Sequence, residues 1–155
     1  MSALHDEIRA VAAQYPDPHS AILPALRLAQ EQHDGWLPPE ALREVGEALD
    51  LTPAYCKAVA SFYDLFRLEP VGEHVVEVCT NVSCALLGAQ RTLEAFEAEL
   101  GIHCGETTAD GKVTLRAVEC YGGCGWGPVV SVDERYREPV GADDVPAIVE
   151  ELRRG

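Results

Sequence analysis

Val76-Glu77-Val78-Cys79-Thr80-Asn81-Val82-Ser83-Cys84-Ala85-Leu86-Leu87-Gly88 and Ala117-Val118-Glu119-Cys120-Tyr121-Gly122-Gly123-Cys124-Gly125-Trp126-Gly127-Pro128 are the stretches that decide this chain. Each opens on a hydrophobic, strand-like run that stops at a cysteine. A second cysteine follows in each, after four residues in Cys79-x4-Cys84 and after three in Cys120-x3-Cys124. All four thiols are expected at loop level, where two strands end. Four thiolates converging from two loops make a soft, all-sulfur cage. Such a cage suits tetrahedral zinc or an iron–sulfur cluster.

The spacing favours the cluster. Structural zinc sites use short hooks with two intervening residues, because both ligands of one knuckle share a single ion. A two-iron cluster takes two cysteines per iron, with sulfide bridging the irons. Zinc stays open as an alternative, as do a redox dithiol and inert thiols. The absence of Cys-x-x-Cys weakens the dithiol reading. Gly122, Gly123, Gly125 and Gly127 let the backbone approach the sulfurs and offer N–H groups to them, where the plainer reading is a flexible turn. Pro128 is a candidate for a cis bond. Trp126 either shields the site or faces a partner.

Outward from these segments, residues 71–155 read as strand, helix, strand, strand, strand, helix. Val75, Val76 and Val78 lie in the first strand. Residues 85–100 are expected to form one helix, with Leu86, Leu87, Leu93, Phe96 and Leu100 as its core stripe and Gly101 as its stop. Residues 108–112 make a turn, and 113–118 alternate as a strand that leads to Cys120. Residues 128–132 and 136–140 read as a hairpin about Asp133-Glu134. A helix from about 142 to 153 follows. A sheet with helices packed against it accounts for this order.

Residues 1–70 read as helical throughout. Leu4, Ile8, Val11, Ala12 and Tyr15 mark one apolar face. Tyr15-Pro16-Asp17-Pro18 breaks that helix, and a second runs from Ser20 to about His33, with Pro24 tolerable only in its first turn. After the turn at 34–39, a third helix turns Leu42, Val45, Ala48 and Leu49 inward. Thr52-Pro53 starts a fourth, which carries Tyr55, Val59, Phe62 and Tyr63. The fold class is thus α/β (α+β): an N-terminal four-helix bundle over 1–70, then a sheet domain over 71–155, with the boundary at Glu69-Pro70-Val71-Gly72.

The chain has 155 residues, 12 Lys and Arg against 26 Asp and Glu, and a formal net charge of −14. That surface repels phosphate backbones, and no basic stripe with interleaved aromatics appears, so nucleic-acid binding is not expected. The acidity serves solubility or a docking face for a more basic partner. No apolar run reaches the ~18 residues of a membrane span, and the first residues lack a basic region followed by an apolar one. Membrane insertion is not expected, and the expected compartment is the cytoplasm, where thiols stay reduced. Cys56 reads as a buried small hydrophobe and Cys104 as incidental. His5, His19, His33, His74 and His103 share no metal-site spacing. No catalytic triad or phosphate loop is found.

Over nearly its whole length the chain resembles the thioredoxin-like [2Fe–2S] ferredoxin subunits of NADH dehydrogenases, the family of the E subunit of bacterial NADH–quinone oxidoreductase (complex I). The resemblance rests on the two cysteine pairs, on Gly35-Trp36-Leu37-Pro38 and Val59-Ala60-Ser61-Phe62-Tyr63, on Leu87-Gly88 and Leu100-Gly101-Ile102, and on 105–111 and Val118-Glu119-Cys120. It implies a helical segment ahead of a thioredoxin-like [2Fe–2S] ferredoxin domain. It implies one cluster, with Cys79 and Cys84 on one iron and Cys120 and Cys124 on the other.

It implies also an electron-carrying role without catalysis of its own, beside a flavoprotein subunit that binds NADH and FMN and further iron–sulfur subunits. Such an assembly is expected in the cytoplasm, at the cytoplasmic face of a membrane, and residues 1–70 are expected to dock onto the flavoprotein subunit. Tyr121-Gly122-Gly123 and Gly127-Pro128 depart from the family's usual bulky-Gly-Ala and Ala-Pro, and Ser61 stands for its usual Thr. The alternatives are the small subunit of an NAD-dependent formate dehydrogenase or bidirectional hydrogenase, a free-standing ferredoxin, and a zinc-stabilised interaction module.

Overall fold

The computed structural model describes residues 2–154. The chain divides into two compact units, Met1–Pro70 and Val71–Gly155. The first is built from four helices: α1 (Ala3–Ala12), α2 (Ile22–Gln32), α3 (Pro39–Leu49) and α4 (Pro53–Phe62). The Ser2 hydroxyl accepts the His5 N–H at 3.1 Å and starts α1, and the Thr52 hydroxyl does the same for Tyr55 at 3.2 Å in α4. A 3₁₀ turn over Pro18–Ala21, capped by Asp17, precedes α2 and places Pro24 in that helix's first turn. Ile8, Leu26, Leu37, Val45 and Cys56 are fully enclosed in this unit's core. The inward face of α4 is Cys56 and Ala60, both small, so Tyr55, Phe62 and Tyr63 are left exposed.

The second unit runs β1 (His74–Cys79), α5 (Val82–Leu86), α6 (Ala89–Leu100), β2 (Val113–Val118), β3 (Val130–Val132), β4 (Arg135–Arg137) and α7 (Val145–Arg154). The sheet order is β2-β1-β3-β4, with β1 and β2 parallel and the other pairs antiparallel. Val76, Val78, Leu115, Val130 and Val132 join Leu93 and Phe96 of α6 and Ile148, Val149 and Leu152 of α7 in one buried core. Strand alternation sends the intervening residues, Glu77 among them, to the other face.

Two sequence expectations change here. The helix expected over 85–100 is two helices, broken at Gly88, whose φ of +103° lies outside the range that side-chain-bearing residues adopt readily. The short α5 turns Cys84 inward, and Leu86 and Leu87 are therefore exposed (83% and 54%) instead of belonging to the core stripe. The hairpin is also shorter than expected. Asp133 and Glu134 both take positive φ (50° and 64°), as a two-residue turn requires, and β4 ends at Arg137 before Pro139. Among the described residues no helix is long and apolar enough to cross a membrane.

Candidate metal centre

The parallel pairing of β1 and β2 places Cys79 opposite Val118, so both strands finish at the same edge of the sheet. Cys79 is the last residue of β1, and Cys120 lies two residues past the end of β2. The Thr80 N–H donates to the Val118 carbonyl at 2.9 Å, and the Cys79 N–H to the Val129 carbonyl at 3.0 Å. Three chain segments, the ends of β1 and β2 and the approach to β3, are thereby tied together where the thiols emerge.

The two cysteine pairs have different surroundings. Cys79 and Cys84 are buried, 3% and 2% exposed. Cys84 sits in α5, whose start is marked by the Asn81 side chain accepting the Val82 N–H at 2.7 Å. Burial pushes the Cys84 thiol up, while the Val129 N–H beside it works the other way. Cys79 and Cys124 act on the same thiol and add to the rise. Cys120 and Cys124 are exposed. Cys124 opens a single 3₁₀ turn, Cys124–Trp126. The Cys120 sulfur accepts the N–H of Gly122 at 3.2 Å, and Gly122 reaches that position with a φ of +75°.

The glycines of the second segment play separate parts. A Cβ on Gly127 would lie 3.2 Å from the Cys84 sulfur and 3.0 Å from Leu87, so the backbone passes directly against the first pair. A Cβ on Gly123 would come within 2.8 Å of the Val129 side chain, whereas one on Gly125 would meet open space. The Gly127–Pro128 bond is cis, and so is Glu138–Pro139, which the sequence reading did not single out. Trp126 is exposed, and with Val82, Leu86 and Leu87 it adds apolar surface to the cysteine segments. Among the described residues, no three His, Cys, Asp or Glu side chains are grouped to hold a single metal ion. Four soft sulfur donors on two neighbouring segments, with backbone N–H groups aimed at sulfur, suit a two-iron group that takes two thiolates per iron.

Cys56 is buried in α4, where burial raises its thiol, and Cys104 is exposed; both lie outside these segments. His74 pairs with Asp133 at 2.8 Å behind the hairpin turn, and His19 lies 3.4 Å from Asp17. The sequence reading passed over Glu77. Its carboxylate, in the middle of β1, is buried and accepts from Arg116 at 2.9 Å and from the Tyr121 hydroxyl at 2.6 Å. The available signal was an acidic residue inside a valine-rich strand, two positions before a cysteine.

Residues 8–153 match the family model of the thioredoxin-like [2Fe-2S] ferredoxins. The E 2 subunit of the NADH-quinone oxidoreductase of Rhizobium meliloti (strain 1021) is 43% identical, across 97% of this chain and 89% of the relative. The E subunit of the NADH-quinone oxidoreductase of Mycobacterium tuberculosis (strain ATCC 25618 / H37Rv) is 38% identical across 99% of this chain, which spans 60% of that relative's length. Among solved structures, an NAD+-reducing [NiFe]-hydrogenase in the air-oxidized state superposes with a TM-score of 0.73 at 25% identity. The match covers 86% of this chain and 23% of the hydrogenase chain.

Proposed function

We infer the function of this chain from its family: it belongs to the thioredoxin-like [2Fe–2S] ferredoxins and carries their cofactor, one [2Fe–2S] cluster. It is the electron-transfer subunit of the NADH dehydrogenase module of an NADH–quinone oxidoreductase. Cys79 and Cys84 hold one iron, and Cys120 and Cys124 hold the other. When bound, the cluster supplies a one-electron redox centre. NADH and FMN sit on a partner flavoprotein, which trades single electrons with this chain, and the chain alone does not turn over NADH. Further iron–sulfur subunits complete the module, at the cytoplasmic face of a membrane.

The observation that carries this reading is the common end of β1 and β2, where the Cys79 sulfur lies 3.8 Å from the Glu119 carbonyl, one residue before Cys120, and the Gly127 backbone runs against the Cys84 sulfur. The chain's own residues prepare that edge. Burial of Cys79 and Cys84 keeps water from one side. The Gly122 and Val129 N–H groups offer donors to thiolate sulfur, which favours the more negative, reduced state of a bound group. Leu86, Leu87 and Trp126, exposed within three residues of Cys84 or Cys124, can exclude water when a redox partner docks.

Residues 1–70 serve as the docking element for the flavoprotein. Tyr55, Phe62, Tyr63 and Leu65 support this assignment, because aromatic and large apolar groups left exposed on a small helical unit mark interaction surfaces. A chain lacking residues 1–70 should lose co-purification with the flavoprotein while keeping its spectrum. Full-yield co-purification would remove this role.

The direct test is anaerobic purification followed by metal and sulfide analysis and electron paramagnetic resonance of the reduced protein. About two irons and two sulfides per chain are expected. Stoichiometric zinc without iron would overturn the reading. The likeness to an NAD+-reducing hydrogenase favours one second reading, the corresponding subunit of a hydrogenase or formate dehydrogenase module. The subunits that co-purify with the chain decide between them.

A further inference from the structure

We propose that Tyr121, Glu77 and Arg116 form a positioning tether that fixes the Cys120 segment against the sheet, so that the exposed half of the cluster is held by a side-chain network. This inference rests on Cys120 as a ligand and adds the residues that orient it.

The sheet register builds the tether. Arg116 of β2 lies opposite Glu77 of β1, Glu77 lies opposite Ser131 of β3, and Ser131 lies opposite Tyr136 of β4. One row of polar residues therefore crosses all four strands, on the face away from the Val76–Phe96 core. Glu77 sits at the centre of that row with only 5% of its side chain exposed. A carboxylate this deep must be paired. Arg116 supplies the charge at 2.9 Å, and the second oxygen takes the Tyr121 hydroxyl at 2.6 Å. The Tyr121 ring also rests on Tyr136 with ring centres 5.0 Å apart.

Tyr121 directly follows Cys120 and directly precedes Gly122, whose N–H donates to the Cys120 sulfur. This residue is thus the point at which an otherwise exposed, glycine-rich segment is bound to the sheet. The other end of the tether is equally local to the site, because Glu77 stands two residues before Cys79. One carboxylate therefore connects the strand that delivers the first cysteine pair to the loop that delivers the second. A hydrogen bond to a buried carboxylate is among the stronger kinds, and losing it should free the loop.

The test compares Tyr121→Phe, Glu77→Gln and Cys120→Ser in the full-length chain. Tyr121→Phe keeps the ring and its contact with Tyr136 but removes the donor. Iron release to a chelator is expected to speed up about tenfold, as the loss of one strong hydrogen bond predicts. The paramagnetic spectrum of the reduced protein should broaden or shift. Glu77→Gln can still accept from Tyr121, so it should release iron much more slowly than Tyr121→Phe.

Melting of the apo-protein separates positioning from packing. A lower melting temperature in Tyr121→Phe with wild-type iron release and spectrum would make Tyr121 a packing residue and overturn the tether. Should Glu77→Gln fail to fold, Tyr136→Phe, which keeps the ring contact and leaves the Tyr121–Glu77 bond in place, is expected to retain a release rate close to wild type. Release as fast as in Tyr121→Phe would count against the tether. Failure of the underlying reading looks different: Cys120→Ser would then keep a complete, unaltered cluster.

Discussion

The two cysteine pairs make opposite use of the fold. Cys79 and Cys84 are buried, one as the last residue of a central strand and the other inside a helix. Cys120 and Cys124 are exposed on a segment with a single 3₁₀ turn, and it carries glycine at 122, 123, 125 and 127. Regular backbone hydrogen bonding fixes the first pair. The second depends on one side-chain network and on close backbone contacts. A one-electron carrier benefits from that asymmetry, since one side must exclude water and the other must be approached by a partner.

The largest expected effect tests the two pairs together. Serine at Cys79, Cys84, Cys120 or Cys124 should each remove or strongly perturb the cluster, seen as loss of iron and of visible absorption. The apo-proteins should then divide. Cys84→Ser places a hydroxyl in a buried site and should cost about 1–3 kcal/mol in urea unfolding, whereas Cys124→Ser should cost nothing measurable. Equal stability losses at both positions would erase the contrast. Cys56→Ser and Cys104→Ser should leave the spectrum intact.

A second prediction attacks the buried side through its backing. Phe96 is fully enclosed between the sheet and α7. Phe96→Ala should destabilise the chain by about 3–5 kcal/mol in urea titration, the usual range for deleting a large core aromatic.

The glycines give a finer test. Gly127→Ala forces a methyl against the Cys84 sulfur at 3.2 Å and should alter the cluster spectrum, whereas Gly125→Ala, with open space beside it, should be silent. Gly122→Ala strains a residue at φ +75° and weakens the N–H donated to Cys120. The reduced state loses most, so the midpoint should fall by some tens of millivolts; a tenfold shift in a one-electron equilibrium is about 59 mV. An unchanged midpoint in a mutant that retains its iron would reduce this segment to a plain turn.

The smallest effect concerns the strand under Tyr121. Arg137 of β4 and Glu151 of α7 pair through two bonds of 2.8 and 2.7 Å, and the Arg137 guanidinium holds the Glu151 carboxyl below its ordinary range. A depressed carboxylate stabilises the fold above its unfolded pKa of about 4.3 and loses that contribution as pH falls through the folded value. Wild type should therefore melt slightly above Glu151→Gln at pH 7, and the gap should close as the pH falls through the folded value. The pair is exposed, so the difference should be small. A gap that widened on acidification would reverse the sign and refute the assignment.

Residue order alone was enough to show that two strands end near cysteines, that four short amphipathic helices precede them, and that the thiol spacing suits two irons better than one zinc. These are local properties: apolar periodicity, capping residues such as Ser2 and Thr52, and the distance between ligand types along the chain. Which pair would be buried was settled by packing in three dimensions. The same packing splits the expected helix at Gly88, exposes Leu86 and Leu87, and aligns Arg116, Glu77, Ser131 and Tyr136 in one row of the sheet. Burial and cross-strand register join residues 39 to 59 positions apart, as in Glu77–Arg116 and His74–Asp133. No periodicity within a single segment encodes such a pairing, because its energy arises only when separate strands are brought together and water is removed from between them.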